Sequence, residues 1–187
     1  MSDLILLSET WFTDSANKSD YMIQGYHEPR FVIAGHGKGL VTYQKTNYNP
    51  KFKRIFTYND ETYQMILLEN SQMYVLSVYR SEKAERFTVM MKIRELLGIL
   101  DRNKLFIIGG DFNTCATEKN VITNTLTNEY FGFTQMILEA THEKGRALDH
   151  LYIRNMTKPI SVAIEPLYWT DHDAITVMVP RQEDVDS

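Results

Sequence analysis

The sequence predicts an α+β domain. Many short apolar runs are bounded by turn residues, one long segment has helical spacing, and there is no internal repeat or low-complexity stretch. Strands with a few interspersed helices fit either an α+β fold or a β-sandwich with flanking helices.

The expected strands, in order, are Leu4–Leu7, Tyr21–Gln24, Phe31–Ile33, Leu40–Tyr43, Thr62–Leu68, Met73–Val78, Leu105–Ile108, Leu148–Ile153, Ser161–Ile164 and Ile175–Val179. Each is a short apolar run closed by turn formers. Glu69-Asn70-Ser71-Gln72 reads as a hairpin turn between two of them. A long helix is expected from about Glu82 to Leu100, because Met90, Ile93, Leu97 and Leu100 share one face, with Ser81 as its N-cap. A shorter helix is expected from about Glu118 to Leu126. Ile99, Leu100 and Leu105-Phe106-Ile107-Ile108 read as core.

At 187 residues the chain reads as one domain, residues 1–180, with a polar tail over residues 181–187. With 43% hydrophobic and 24% charged residues, it is neither a disordered tail nor a collagen-like fibre. A net charge of -4 excludes a protein that coats nucleic acid by bulk charge. It leaves room for a local basic strip or an acidic metal site. Cys115 is the single cysteine, so no disulfide forms within the chain and a reducing compartment is expected. MSDLILLSE lacks the basic start of a signal peptide, and no apolar stretch reaches the roughly 18 residues of a membrane span. The expectation is a soluble intracellular protein, nuclear or cytoplasmic.

Four segments carry the chemistry. Each is a predicted strand ending in acidic, amide or imidazole groups: Ser8-Glu9-Thr10-Trp11, Gly110-Asp111-Phe112-Asn113, Leu148-Asp149-His150 and Thr170-Asp171-His172-Asp173. Strand ends form the rim of a sheet, where side chains distant in sequence converge. If the rims face one way, Glu9, Asp111, Asn113, Asp149, Asp171 and His172 share a pocket. Oxygen donors without a thiolate suit Mg²⁺ or Mn²⁺. Crowded carboxylates repel one another unless a cation lies among them. A hard cation beside a histidine suits phosphoryl chemistry. Any one of these aspartates taken alone reads more often as a turn former or cap, and it is the coincidence of four segments that points to a site. His150, next to Asp149, points to the opposite face of its strand and reads as structural.

A second feature is a stretch without acids from Phe31 to Asn59, holding Lys38, Lys45, Lys51, Lys53 and Arg54 with Tyr43, Tyr48, Phe52 and Phe56 between them. It reads either as a strip that tracks phosphates and stacks bases, or as solvated cations over core aromatics.

These motifs resemble the endonuclease/exonuclease/phosphatase (DNase I-like) superfamily. Gly110-Asp111-Phe112-Asn113 and Thr170-Asp171-His172 are similar to its Gly-Asp-Phe-Asn and Ser-Asp-His motifs, with Thr170 for Ser. Glu9-Thr10-Trp11 resembles the form of its metal-binding segment found in non-LTR retrotransposon and Helitron-type endonucleases. Gly37-Lys38-Gly39-Leu40, Val78-Tyr79-Arg80 and Gly145-Arg146-Ala147-Leu148-Asp149 resemble further family segments, with His142 where Arg is expected. The likeness runs in the family's order from about Leu4 to Val179.

The resemblance implies a four-layer α/β/β/α sandwich. It implies that Glu9 and Asp171 hold the metal, Asp111 and Asn113 handle the attacking water, and His172, paired with Asp149, donates to the phosphate. Tyr79 would contact a phosphate oxygen, and Lys38, Lys51, Lys53, Arg54, Arg80 and Arg146 the nucleic acid. The family's usual first strand, ending in an Asn, and the helix after it have no counterpart here. An open sheet edge is therefore expected, one that a second copy or a partner chain could cover. The implied function is a Mg²⁺- or Mn²⁺-dependent phosphodiesterase, a DNA endonuclease of mobile-element type. The alternatives are a catalytically impaired remnant or DNA-binding module, and a phosphatase of a small phosphorylated molecule or lipid.

Overall fold

The computed structural model describes residues 2–13, 15, 17–33 and 38–180. Gly37 and residues 181–187 lie outside this set. The described strands are β1 (Leu4–Ser8), β2 (Arg30–Val32), β3 (Leu40–Gln44), β4 (Lys53–Asn59), β5 (Tyr63–Glu69), β6 (Met73–Arg80), β7 (Leu105–Asp111), β8 (Thr134–Gln135), β9 (Asp149–Arg154), β10 (Ser161–Glu165) and β11 (Ala174–Met178). Helix α1 spans Arg86–Ile99 and α2 spans Val121–Leu126.

The strands form a six-stranded sheet in the order β4-β5-β6-β7-β9-β8, a three-stranded sheet β1-β3-β2 and a pair β10-β11. Alternation along each strand divides the apolar side chains between two cores. On one face of the large sheet Met65, Leu67, Tyr74, Leu76, Val78, Phe106, Ile108 and Tyr152 pack against α1 and α2. On the other face Ile66, Leu68, Val75, Tyr79, Ile107, Leu151 and Ile153 pack against Leu4 and Leu6 of β1, Leu40 of β3, and Ile175 and Val177 of β11. Outside the three-stranded sheet Val41 and Tyr43 gather Tyr26, Phe12 and Phe31. The result is an α+β sandwich, with helices, two layers of strands, and an outer layer of loops and a 3-10 turn at Lys18–Tyr21.

Several expectations shift. Tyr21–Gln24 is no strand, since Tyr21 closes the 3-10 turn. Helix α1 begins at Arg86 after an N-cap Glu85, so Ser81 does not cap it. Ile99, expected in the core, is 80% exposed because it lies off the helix face that buries Val89, Met90, Ile93, Leu96 and Leu97. Helix α2 begins at Val121 behind a reciprocal capping box of Asn120 and Thr123. Asn70 makes the expected β5–β6 turn, its side chain accepting from the Gln72 and Met73 amides. Among the described strands β1 pairs only with β3, and no described strand pairs with its other edge.

Candidate active site

Strand register builds the site. Tyr79 of β6 lies beside Asp111 of β7, and Asp111 beside Asp149 of β9. All three side chains point to the core shared with the smaller sheets, because they sit in phase with Val75, Ile107 and Leu151. Neighbouring strands are about 4.8 Å apart, so the three form a row at one end of the sheet. Glu9, just past β1, reaches this row and accepts the Tyr79 hydroxyl at 2.9 Å. His172, just before β11, closes it from the other side through a 2.7 Å contact between Nδ1 and Asp149 Oδ2.

The Asp111 loop is held tightly. Gly110 has φ +141°, and a Cβ there would lie 1.9 Å from the Val78 carbonyl oxygen. Only glycine permits this approach of β7 to β6. Asn113 turns the chain with φ 47°. Its amide N–H donates to Asp111 Oδ1 at 2.8 Å, and its Nδ2 donates to Asp111 Oδ2 and to the Arg80 carbonyl. Both Nδ2 hydrogens are thus used, leaving Oδ1 as an acceptor. Glu9 also has positive φ, 51°. Left-handed backbone at two non-glycine site residues is strain that the surrounding packing sustains.

Electrostatics follow from burial and register. Asp111 is 1% exposed. Burial foremost, then the charges of Asp149 and Glu9, push its pKa up to about 7, against the opposing pull of the Asn113 amide and His172. His172 moves up to about 9, first through its hydrogen bond to Asp149 and then through the charges of Asp149, Asp111 and Asp171, against burial. At neutral pH it is an imidazolium whose Nδ1–H is committed to Asp149, which leaves the Nε2–H for another acceptor. Burial foremost, and then Glu9, hold the Tyr79 phenol protonated.

Glu9, Tyr79, Asp111, Asn113, Asp149 and His172 are therefore together, as expected. Asp171 is beside them but turned toward His142, whose Nε2 lies 3.1 Å from its Oδ2. His142, Asp171 and His172 bring ligand atoms within 4.8 Å of one another and could gather a cation. Hydrogen bonding weighs against His142 as a ligand. Its Nδ1 accepts the Lys144 amide, so Nε2 carries the proton and donates to Asp171. Sequence reasoning gave Thr141 and His142 no role. Thr141 donates to Asp149 Oδ2 at 2.8 Å and accepts the Asp149 amide, bracing the carboxylate that holds His172. The signal present was only their place in the segment leading to Asp149.

The basic residues separate. Lys38 lies at the site end, its carbonyl accepting the Trp11 amide, and Arg146 is exposed beside the His142 turn. Arg80, expected to meet nucleic acid, is buried. Its guanidinium donates to the carbonyls of Ala84, Phe112 and Asn113 and clamps the Asp111 loop from behind. Lys53 and Arg54 pair with Glu69 and Leu68, at the end of β4 away from the site, and Lys51 precedes them. Tyr43 and Phe52 are buried, and Tyr48 stacks on Phe52 at 5.7 Å. These aromatics are core, not a platform for bases.

The sequence matches the Endonuclease/Exonuclease/phosphatase family over residues 1–172. No curated protein matches it. Among solved structures, the chain is similar to the endonuclease domain of TRAS1, a telomere-specific non-LTR retrotransposon, at 14% identity and TM-score 0.63, covering 94% of this chain and 84% of that one. It is similar to an AP endonuclease from Archaeoglobus fulgidus at 16% identity and TM-score 0.59, covering 95% and 88%. It is also similar to the 3' phosphatase NExo from Neisseria bound to a product DNA hairpin, at 14% identity and TM-score 0.65, covering 96% and 89%. At such identities the likeness is one of fold. The longest helix described, α1, has 14 residues, and no described helix is long and apolar enough to cross a membrane.

Proposed function

This chain belongs to the Endonuclease/Exonuclease/phosphatase family, and from that premise we propose that it is a divalent-metal-dependent phosphodiester hydrolase, a DNA endonuclease of mobile-element type. One observation carries the reading. The buried Asp111, the Asp149–His172 pair and the Tyr79–Glu9 pair meet at a single rim of the sandwich.

Three carboxylates converge there, and the raised Asp111 pKa records their mutual repulsion as well as burial. Such a set of oxygens fits a hard cation, Mg²⁺ or Mn²⁺. Glu9, oriented by Tyr79, would hold it with Asp171. When bound there, such an ion would supply positive charge to the phosphate and its leaving oxygen. Asp111, poised near neutrality, accepts the proton of the attacking water. Asn113 offers Oδ1 to that water. His172 donates its Nε2–H to a phosphate oxygen as charge builds in the transition state, and Asp149 keeps it charged and oriented. Tyr79 stands beside the same phosphate. No covalent intermediate is needed.

Nucleic acid as the substrate is supported by the likeness to a structure solved with a DNA hairpin and to a retrotransposon domain. Lys38 and Arg146 are placed to meet the strand near the cut. The edge of β1 away from β3 is the place where a strand from a second copy or another chain would add. The likeness to a 3' phosphatase favours one second reading, removal of a phosphate from a small ester.

Nicking of supercoiled plasmid in Mg²⁺, in Mn²⁺ and in EDTA tests the proposal, with Asp111→Asn alongside. Metal-dependent nicking absent from the variant is expected. A folded protein that leaves plasmid intact but releases phosphate from a small ester would replace this reading with the second.

A further inference from the structure

The two sheets meet along one side of the sandwich through their edge strands, β2 and β4. Asn59 Nδ2 of β4 donates to the Ile33 carbonyl at 2.8 Å. Arg54 of β4 reaches the Phe31 carbonyl at 3.5 Å, and Arg30 of β2 reaches back to the Phe52 carbonyl at 3.1 Å. Each arginine thus crosses to the other strand's side, and the two guanidiniums come within electrostatic reach of each other. With Lys18, Glu28 and Phe31 they line a cleft of about 470 Å³.

The charge in this cleft is unbalanced. Among the described residues that line it, Lys18, Arg30 and Arg54 face a single carboxylate, Glu28, which lies 3.6 Å from Lys18. Neither arginine has a carboxylate partner among the described residues. Burial, and then the charge of Arg54, lower the Arg30 pKa. A brace between sheet edges accounts for one N–H of each guanidinium. Five donors are available on each, in a planar fork that matches phosphate oxygens. Because the Phe52 carbonyl already holds Arg30, an incoming anion meets at least one guanidinium that has lost part of its rotamer freedom.

We propose that the β2–β4 cleft is a second phosphate seat, which holds the nucleic-acid backbone at a distance from the cut; it rests on the DNA-hydrolase reading for its choice of ligand. Arg54 lies opposite Leu68, which lies opposite Val75, four residues before Tyr79, and three strand steps separate β4 from β7. That places the seat about 20 Å from Asp111. It corresponds to about six base pairs of duplex.

The test is binding in EDTA, by fluorescence anisotropy, to one DNA hairpin with a stem of about twelve base pairs and one of about four. Arg30→Gln/Arg54→Gln is expected to weaken the long stem about tenfold at low salt. Two lost phosphate contacts should also shrink the slope of log K against log salt by about two. The short stem should be unaffected. Arg54→Glu alone keeps the Arg30 brace and should give at least half of the change in slope. An unchanged slope in both variants, with thermal stability retained, would leave the arginines as braces and overturn the seat. Equal loss on both stems would also overturn it, because the contact would not be remote. Inorganic phosphate at millimolar concentration is included as a competitor. Full displacement of the long stem from the wild type, absent in Arg54→Glu, would make the cleft a free-phosphate site instead. Plasmid nicking by the wild type separates the two readings: nicking with an unchanged slope sinks only the seat, whereas a changed slope without nicking sinks only the hydrolase.

Discussion

His172 Nδ1 lies 2.7 Å from Asp149 Oδ2, the same oxygen that accepts the Thr141 hydroxyl at 2.8 Å. The carboxylate is thus shared between a group that acts and a group that braces. In the proposed mechanism His172 is the phosphate donor, so His172→Ala should cost about 10³-fold or more in nicking rate. Asp149→Asn should cost about 10²-fold or more, because His172 loses its charge and its fixed orientation. Thr141→Val should cost far less, about tenfold, since it only loosens the carboxylate. Single-turnover rates, with circular dichroism to verify folding, would rank the three. A Thr141→Val rate as low as that of His172→Ala would mean that the hydroxyl, not the histidine, meets the substrate.

Asp111 should trade stability for function. Folding raises its pKa to about 7, whereas an unfolded carboxyl titrates near ~3.9. For a carboxyl, a raised folded value means the ionised form opposes folding. The penalty grows as pH climbs from the unfolded value toward 7 and is complete above that. Asp111→Asn carries no such charge and can still accept the Asn113 amide. In EDTA at pH 8 it should melt a few degrees higher than the wild type while losing all nicking in Mg²⁺. A lower melting temperature would show that the carboxylate's hydrogen bonds outweigh its burial and repulsion.

Gly110 and Gly109 should behave oppositely. A methyl group at Gly110 would fall 1.9 Å from the Val78 carbonyl oxygen, at φ +141°. That oxygen belongs to the neighbouring β6 backbone and cannot move aside without breaking the ladder. Gly110→Ala should cost about 3 kcal/mol or more. At Gly109 the nearest atom is Leu151 Cδ1 at 3.7 Å, an ordinary contact. Gly109→Ala should stay within about 1 kcal/mol. Chemical denaturation of both variants checks the pair, and equal effects would discard the close-approach account.

What was legible in the sequence were short motifs at strand ends, because strand alternation is local. The period of two that sets His150 behind Asp149 also sets Arg80 behind Tyr79. Arg80 reads as part of the site through its neighbour Tyr79, whereas its own phase points it to the helix side. Strand β4 carries a weak signal, because Lys53, Arg54 and Ile55 are exposed there while Phe56 and Tyr58 pack inward, so its alternation is poor. Whether its cations lie near Asp111 depends on register across three strands, which no local pattern encodes. The same holds for His142, whose tautomer is set by the Lys144 amide and whose partner is Asp171, far along the chain. Ile99 carries the apolar character of a core residue but lies off the face of α1 that buries Val89, Met90, Ile93, Leu96 and Leu97.

His150 should make the fold acid-sensitive by itself. Its Nε2 lies 2.7 Å from the Thr114 carbonyl and must carry the hydrogen, so Nδ1 accepts the Tyr152 hydroxyl, also at 2.7 Å. The ring stacks on Phe112 at 4.6 Å. The neutral tautomer is fully satisfied, and a second proton, on Nδ1, would displace the Tyr152 hydroxyl hydrogen and place a charge in a site closed to solvent. Burial holds the pKa down at about 4, while the unfolded chain titrates near ~6.5. Above the unfolded value neither state takes the proton, and the folded state bears no cost. As pH falls from there to about 4, the unfolded state gains a proton that the folded state refuses, and stability is lost across that window. The loss levels off below it at roughly 3 kcal/mol. His150→Gln, which can still donate to Thr114, should remove this part of the slope and leave the share due to carboxylates. Urea unfolding of both proteins in EDTA at several pH values between 7 and 4 isolates the histidine as the difference between the curves. Parallel curves would mean that His150 is not the acid-labile point, and that the loop carrying Asp111 and Asn113 is anchored mainly from Arg80.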